Sequence, residues 1–421
     1  MTTPNNKFWT QIDFPQGSDE EYDYFGYSLV AGDFDGDGYS DLAIGSPYED
    51  IDGKTDTGKV NVANGSYWGL TTTDSQLWQQ NAFPSGGDED YDNFGYSLTK
   101  GDFNGDGYDD LAIGTPYEDL STGEMDSGKV NVLQGSYSGL TSYNSQLWTQ
   151  DSFPSGGDED YDNFGYSLAT GDFNGDGYHD LAIGTPYEDL STGEINSGKV
   201  NVLHGSYSGL TSYNSQLWTQ DSFPSGGDED YDNFGYSLAT GDFNGDGYDD
   251  LAIGTPYEDL STGEINSGKV NVLQGSYSGL TSYNSQLWTQ DSFPSGSDED
   301  YDNFGYSLAT GDFNGDGYDD LAIGTPYEDV DGIADVGKVN VLHGSYWGLT
   351  SVNSQLWTQD SFGVEGIAEE YDNFGASLTV DDFNGDGYDD LAIGVSGEDV
   401  GGISNSGAVN ILYGSTNGLI A

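Results

Sequence analysis

The chain has 421 residues, 74 of them acidic and only eight basic, all lysines, for a net charge of −66. A protein that binds a nucleic-acid backbone needs the opposite balance, so nucleic acid is excluded as a partner. There is no cysteine to staple a fold, and no apolar run reaches membrane-spanning length, so no membrane insertion is expected.

Met1-Thr2-Thr3-Pro4-Asn5-Asn6-Lys7 holds no apolar segment that could act as a secretion signal. An exported chain is expected either to have lost its signal or to be a piece of something larger. The next stretch, Lys7-Phe8-Trp9-Thr10-Gln11, matches Gln146-Leu147-Trp148-Thr149-Gln150 far downstream.

From Phe25-Gly26 onward the chain repeats. Phe-Gly pairs recur at Phe94, Phe164, Phe234, Phe304 and Phe374, at a spacing of 69 and then 70 residues. A fixed period of this kind outranks length as a guide to architecture. In the third unit, Phe164–Phe173 reads as a first strand, Asp180–Gly184 as a second, Lys199–Gly205 as a third and Ser215–Gln220 as a fourth. The intervening loops carry Gly, Pro, Asn, Asp and Ser. These strands are apolar on both sides, which suits sheets covered on both faces.

A four-stranded unit of fixed period is a propeller blade, whose faces are buried only by neighbouring blades. The expected fold is therefore all-β, a closed six-bladed β-propeller of four-stranded antiparallel blades forming a single domain over 1–421. Its blades start near Phe25, Phe94, Phe164, Phe234, Phe304 and Phe374. The last unit stops after its third strand, so residues 7–11 are expected to supply the missing one and close the ring, removing an exposed edge.

Between the first and second strands of every unit lies the stretch Asp102-Phe103-Asn104-Gly105-Asp106-Gly107-Tyr108-Asp109-Asp110 or a close variant. Calcium takes six to eight oxygens, and carboxylate or amide oxygens at positions 1, 3 and 5, a carbonyl at 7 and a carboxylate at 9 make such a cage. The glycine at position 6 permits the sharp turn. The expected ligands are Asp33, Asp35, Asp37, Tyr39 and Asp41 in the first unit, and Asp102, Asn104, Asp106, Tyr108 and Asp110 in the second. The third has Asp172, Asn174, Asp176, Tyr178 and Asp180; the fourth Asp242, Asn244, Asp246, Tyr248 and Asp250. In the fifth they are Asp312, Asn314, Asp316, Tyr318 and Asp320, and in the sixth Asp382, Asn384, Asp386, Tyr388 and Asp390. An EF-hand needs twelve residues, a terminal Glu and flanking helices, none of which is present. About six Ca2+ ions are expected, one per repeat. Weak sites of this type fill where calcium is near millimolar, so an extracellular or cell-surface location is expected.

Two further segments recur: Gly156–Asp162, and Pro186-Tyr187-Glu188-Asp189. With strands alternating in direction, both lie at the blade end opposite the calcium hairpin. One reading is a hydrated acidic rim with Lys199-type counterions. The other is a repeated ligand site in which tyrosines such as Tyr161 stack on a sugar or a cationic side chain while carboxylates accept hydrogen bonds. Trp9, Trp78, Trp148, Trp218, Trp288 and Trp357 are expected to pack between blades, and Trp68 and Trp347 to stand at the surface. The three histidines, His179, His204 and His343, and the periodic acid pairs form no unique constellation, so no catalytic residue is assigned and no enzyme is expected.

Phe-Gly, then the calcium loop, then Gly-x-Pro (Gly114-Thr115-Pro116, and Gly45-Ser46-Pro47 in the first unit) resembles the FG-GAP repeat of integrin α-subunit propellers. The resemblance covers essentially the whole chain. It departs from the integrin pattern in having six units rather than seven, calcium loops in all of them, and Gly394-Val395-Ser396 in place of the last Gly-x-Pro. It implies a non-enzymatic, calcium-stabilised propeller that binds an extracellular protein or carbohydrate through the loops opposite the hairpins, and a monomer is expected. The competing expectation is a structural or adhesive module of a larger surface protein.

Overall fold

The computed structural model describes the chain apart from residues 1–8, 15–21, 84–86, 88, 121–122, 155–156, 158, 191, 225–226, 228, 261–262, 295–298 and 402. The fold is all-β, a six-bladed propeller type in which each sheet is an antiparallel meander with its strands in sequence order. In the second blade the strands are Ser97–Gly101, Asp110–Thr115, Lys129–Gln134 and Thr141–Trp148, and a short 3-10 turn, Gln150–Ser152, leads to the next blade. The chain divides into two compact units, residues 1–170 with 203–215, and residues 171–202 with 216–421.

Burial explains the strand pattern. The second and third strands of the second blade are buried at every position, whereas Thr141–Trp148 is buried on neither face completely. In the first unit, Phe34, Val60 and Val62 of the first blade pack against Leu111, Ile113 and Leu133 of the second. In the second unit, Phe243, Val270 and Val272 meet Leu321, Ile323 and Leu342, and Phe313, Val339 and Val341 meet Leu391, Ile393 and Leu412. Each contact joins the valine face of one third strand to the Leu-x-Ile face of the following blade. No blade buries its own faces alone, which is why the repeat is the unit of stability. Five tryptophans are placed as expected: Trp78, Trp288 and Trp357 are half-buried against these clusters, while Trp68 and Trp347 are 86% and 84% exposed.

Two strand bounds are corrected. The first strand of the third blade is Ser167–Gly171, shorter than Phe164–Phe173. The fourth is Thr211–Trp218, starting four residues earlier than Ser215 and leaving Gln220 to a 3-10 turn. The sixth sheet has three strands among the described residues, Phe374–Asp381, Asp390–Val395 and Ala408–Leu412. Of the segment 7–11, Lys7 and Phe8 lie outside the described residues, Trp9 and Thr10 are not strand, and Gln11 opens a 3-10 turn. Trp9 packs beside Phe14 against Phe25, Leu42 and Ile44 of the first blade, the contact that Trp78 makes with the blade that follows it; the expectation that residues 7–11 close the ring falls in part outside the described residues.

Candidate metal loops and the opposite blade ends

Each nine-residue loop is drawn tight by backbone N–H groups donating to its own side chains. In the second blade, Asp106 N donates to Asp102 Oδ1 at 3.0 Å and to Asn104 Oδ1 at 2.9 Å, Gly107 N to Asp102 Oδ2 at 2.9 Å, and Tyr108 N to Asp106 Oδ1 at 3.2 Å. Bonds to Asp172, Asp242, Asp312 and Asp382 close the other loops in the same way. This brings positions 1, 3 and 5 together; Asp33, Asp35 and Asp37 each offer an oxygen within 4.8 Å of the others.

The position-9 carboxylates are buried under the loops. Asp41 accepts from Phe34 N at 3.1 Å and Gly65 N at 2.7 Å, and Asp110 from Phe103 N at 3.2 Å and Gly135 N at 2.8 Å. Asp250, Asp320 and Asp390 accept from Gly275, Gly344 and Gly414. This second role, tying the hairpin to the turn after the third strand, was not visible in the sequence. The position-7 tyrosines have another: a Cβ on Gly36, Gly175, Gly245 or Gly315 would lie 2.5–2.6 Å from the ring of Tyr108, Tyr248, Tyr318 or Tyr388 of the next blade. Glycine at loop position 4 is thus required twice, by a φ of about +70° and by that ring.

The electrostatics favour a cation. Burial pushes Asp41 up to about 6, and Asp110 and Asp250 up to about 8, with the carboxylates at positions 1, 3 or 5 adding to the shift. Asp35 is likewise raised, by burial and then by Asp37 and Asp33. Like charges so placed resist ionising together. The donors are all oxygens, the set a hard divalent cation prefers, so the residues fit a calcium-type ion.

The opposite blade ends are not the wholly hydrated rim of the first reading. Gly156 and Asp158 lie outside the described residues. The rest of that segment is hydrogen-bonded onto the preceding blade: Met125 N donates to Asp160 Oδ1 at 2.8 Å and Tyr161 N to Met125 O at 2.7 Å. Asp162 is buried, accepting from Gln150 Nε2 at 2.6 Å and Glu159 N at 3.0 Å. The glutamate of each Pro-Tyr-Glu-Asp is no rim residue either. Glu188 Oε1 pairs with Lys199 Nζ at 2.6 Å with both side chains buried, and Glu49–Lys59, Glu118–Lys129, Glu258–Lys269 and Glu328–Lys338 repeat the pair. The hydrated-rim expectation is therefore corrected for these lysines and glutamates.

Exposed at this end are acids such as Glu159, Asp160 and Asp189, and a set of tyrosines. Tyr161 has φ +74° and is 53% exposed, and Tyr22, Tyr91, Tyr231, Tyr301 and Tyr371 also have φ of +70° to +76° and exposures of 56–75%. A bulky residue in the left-handed region is strained and rare. A second tyrosine set, from Phe-Gly-Tyr, went unread in the sequence. Tyr96 stacks with Tyr27 and Tyr166 at ring distances of 5.0 Å and with Tyr117 at 5.7 Å, and Tyr236 meets Tyr306 at 5.1 Å and Tyr257 at 5.7 Å. Its signal was the tyrosine directly after Phe-Gly in five units, replaced by Ala376 in the sixth.

The FG-GAP repeat family model matches residues 25–62, 94–133, 164–203, 234–273, 304–342 and 374–412. Integrin alpha-PS2 of Drosophila melanogaster is 35% identical over 266 residues, 62% of this chain and 17% of the relative. Phosphatidylinositol-glycan-specific phospholipase D of Rattus norvegicus is 27% identical over 379 residues, 88% of this chain and 43% of the relative. The chain thus spans well under half the length of either. Among solved structures, a mutant of AofleA from Arthrobotrys oligospora aligns with 97% of this chain and 91% of its own at a TM-score of 0.44 and 8% identity.

Proposed function

The chain belongs to the FG-GAP repeat family, and from that premise we propose that it is a non-enzymatic, calcium-binding, integrin-like propeller domain that binds an extracellular protein or glycan. The ligand contacts the blade ends opposite the hairpins. About six calcium ions, one per loop, hold the hairpins, with positions 1, 3, 5, 7 and 9 as ligands. Bound calcium would neutralise the crowded carboxylates; the chain's own residues supply the shape, the hairpins on one side and the tyrosine loops on the other.

The observation that carries the reading is the left-handed tyrosine, repeated six times with its ring more than half exposed. Strain at a bulky residue persists only where the surroundings enforce it, and such sites cluster where ligands bind. An exposed ring held by a fixed backbone offers contact area at low entropic cost. Repetition of one weak contact suits avidity. The absence of enzymatic activity is part of the proposal, since one relative is named as a phospholipase D; its support is that the candidate acid groups recur with the period instead of forming one distinct pocket.

The test replaces Tyr22, Tyr91, Tyr161, Tyr231, Tyr301 and Tyr371 together by glycine, which adopts positive φ freely. Binding to a glycan and matrix-protein array in calcium is expected to fall at least tenfold while the melting temperature holds. Undiminished binding, or no binding by the parent chain, would favour a structural module without a discrete ligand.

A further inference from the structure

The junction between the fifth and sixth blades differs from the others on the hairpin side. Where the second, third and fourth blades carry Tyr143, Tyr213 and Tyr283 near the start of the fourth strand, the fifth has Val352. Facing it, the turn that reads Ser-Tyr-Ser-Gly or Ser-Tyr-Trp-Gly elsewhere is Ser415-Thr416-Asn417-Gly418. Both tyrosines of the repeat are missing at one junction, and a cleft of about 650 Å³ lies there. That volume is typical of small-molecule sites.

The cleft walls are well fixed. Gln355, on the fourth strand of the fifth blade, clasps the sixth-blade turn: Leu419 N donates to its Oε1 at 2.8 Å and its Nε2 donates to Leu419 O at 2.8 Å. Ser415 N donates to Phe313 O at 3.0 Å. His343, which stands where the second and fourth blades have Gln134 and Gln274, has its Nδ1 3.1 Å from Asp320 Oδ2, so the ring is anchored as a wall. The lining is polar: amides of Asn353, Asn417 and Asn314, hydroxyls of Thr350 and Thr416, and one apolar side chain, Val352; Asn314 and Asp316 also belong to the fifth candidate metal loop, which borders the cleft. Asp316, at one edge, has Oδ1 engaged by Tyr318 N.

We infer that this cleft is a single carbohydrate site, separate from the tyrosine loops, taking a neutral mono- or disaccharide. Amides and hydroxyls that both donate and accept match a ligand dense in hydroxyls, and Val352 offers an apolar surface to the C–H face of a sugar ring. An anionic ligand finds no lysine in the lining and meets a strongly negative protein. Two bulky side chains of the repeat are absent from the rim of this cleft, and the inference does not depend on the tyrosine-loop reading.

The test is saturation-transfer NMR on the full chain in calcium with methyl glycosides of glucose, galactose, mannose, fucose and N-acetylglucosamine. Transfer to at least one glycoside is expected, reduced more than tenfold in both Val352→Tyr and Thr416→Tyr. These variants restore the side chain found at equivalent positions in other blades, so folding is expected to persist and is checked by melting. The tyrosine-loop glycine variant should leave this signal intact. No transfer with any glycoside, or transfer unchanged in both variants, would overturn the inference. A signal removed only by the tyrosine-loop variant would place sugar binding at the other end and equally overturn it.

Discussion

Asp92 shows how single residues shape this protein's response to its surroundings. Its Oδ2 accepts from Gln80 Nε2 at 2.7 Å and Glu89 N at 2.6 Å, while its Oδ1 and Glu118 Oε2 are buried without an N–H donor. The Glu118 carboxyl lies close enough to raise the cost of ionising Asp92. Burial, reinforced by Glu118 and only partly offset by Lys129 and the Glu89 N–H, pushes Asp92 up to about 8. The folded state therefore keeps a proton that the unfolded chain releases near pH 4, and the stabilisation is full in acid and is lost as pH rises toward 8. Urea melts between pH 4 and 9 in saturating calcium should show the parent losing stability relative to Asp92→Asn up to about pH 8 and levelling beyond; parallel curves would refute a proton retained on Asp92.

At the scale of the element, the hairpin is where sequence and structure agree most, because a fixed spacing of Asp, Asn and Gly leaves the backbone little choice. The period and strand order were legible for the same reason: near-identical repeats carry one pattern six times. Strand boundaries were less so. Thr211-Ser212-Tyr213-Asn214 looks like a polar loop, yet it is strand, with Asn214 at φ +58°. The Lys199–Glu188 pair was misread because charge in a sequence suggests solvent, and only tertiary packing shows that each buried charge has its partner. The left-handed tyrosines were invisible for a related reason, since nothing in a tyrosine's chemistry announces a positive φ. Glycine at loop position 4 gives a direct test of hairpin-on-hairpin packing. Gly175→Ala meets both an unfavourable φ and the Tyr248 ring, and should cost about 2–4 kcal/mol in denaturant unfolding. Gly177→Ala, whose added carbon meets nothing within 4 Å, should cost only the φ term, about 1–2 kcal/mol.

For the whole molecule, the governing quantity is a net charge of −66, which repels itself in any compact state. Six bound divalent ions, as proposed, would return only a small part of that charge, but would return it where carboxylates crowd most. A ligand bound only by the folded form stabilises by RT ln(1 + [L]/Kd), so calcium at tenfold above Kd contributes about 1.4 kcal/mol per site and roughly 8 kcal/mol over six. That matches the entire stability of an ordinary domain. Magnesium prefers a tighter octahedral shell and releases water reluctantly, so it should substitute poorly. The most direct measurement is thermal melting of the full chain in calcium, in magnesium and in chelator at constant ionic strength. A melting temperature far higher in calcium than in chelator, with magnesium close to chelator, is the predicted result; three superimposable curves would contradict the metal-held propeller and leave the six loops as acidic turns.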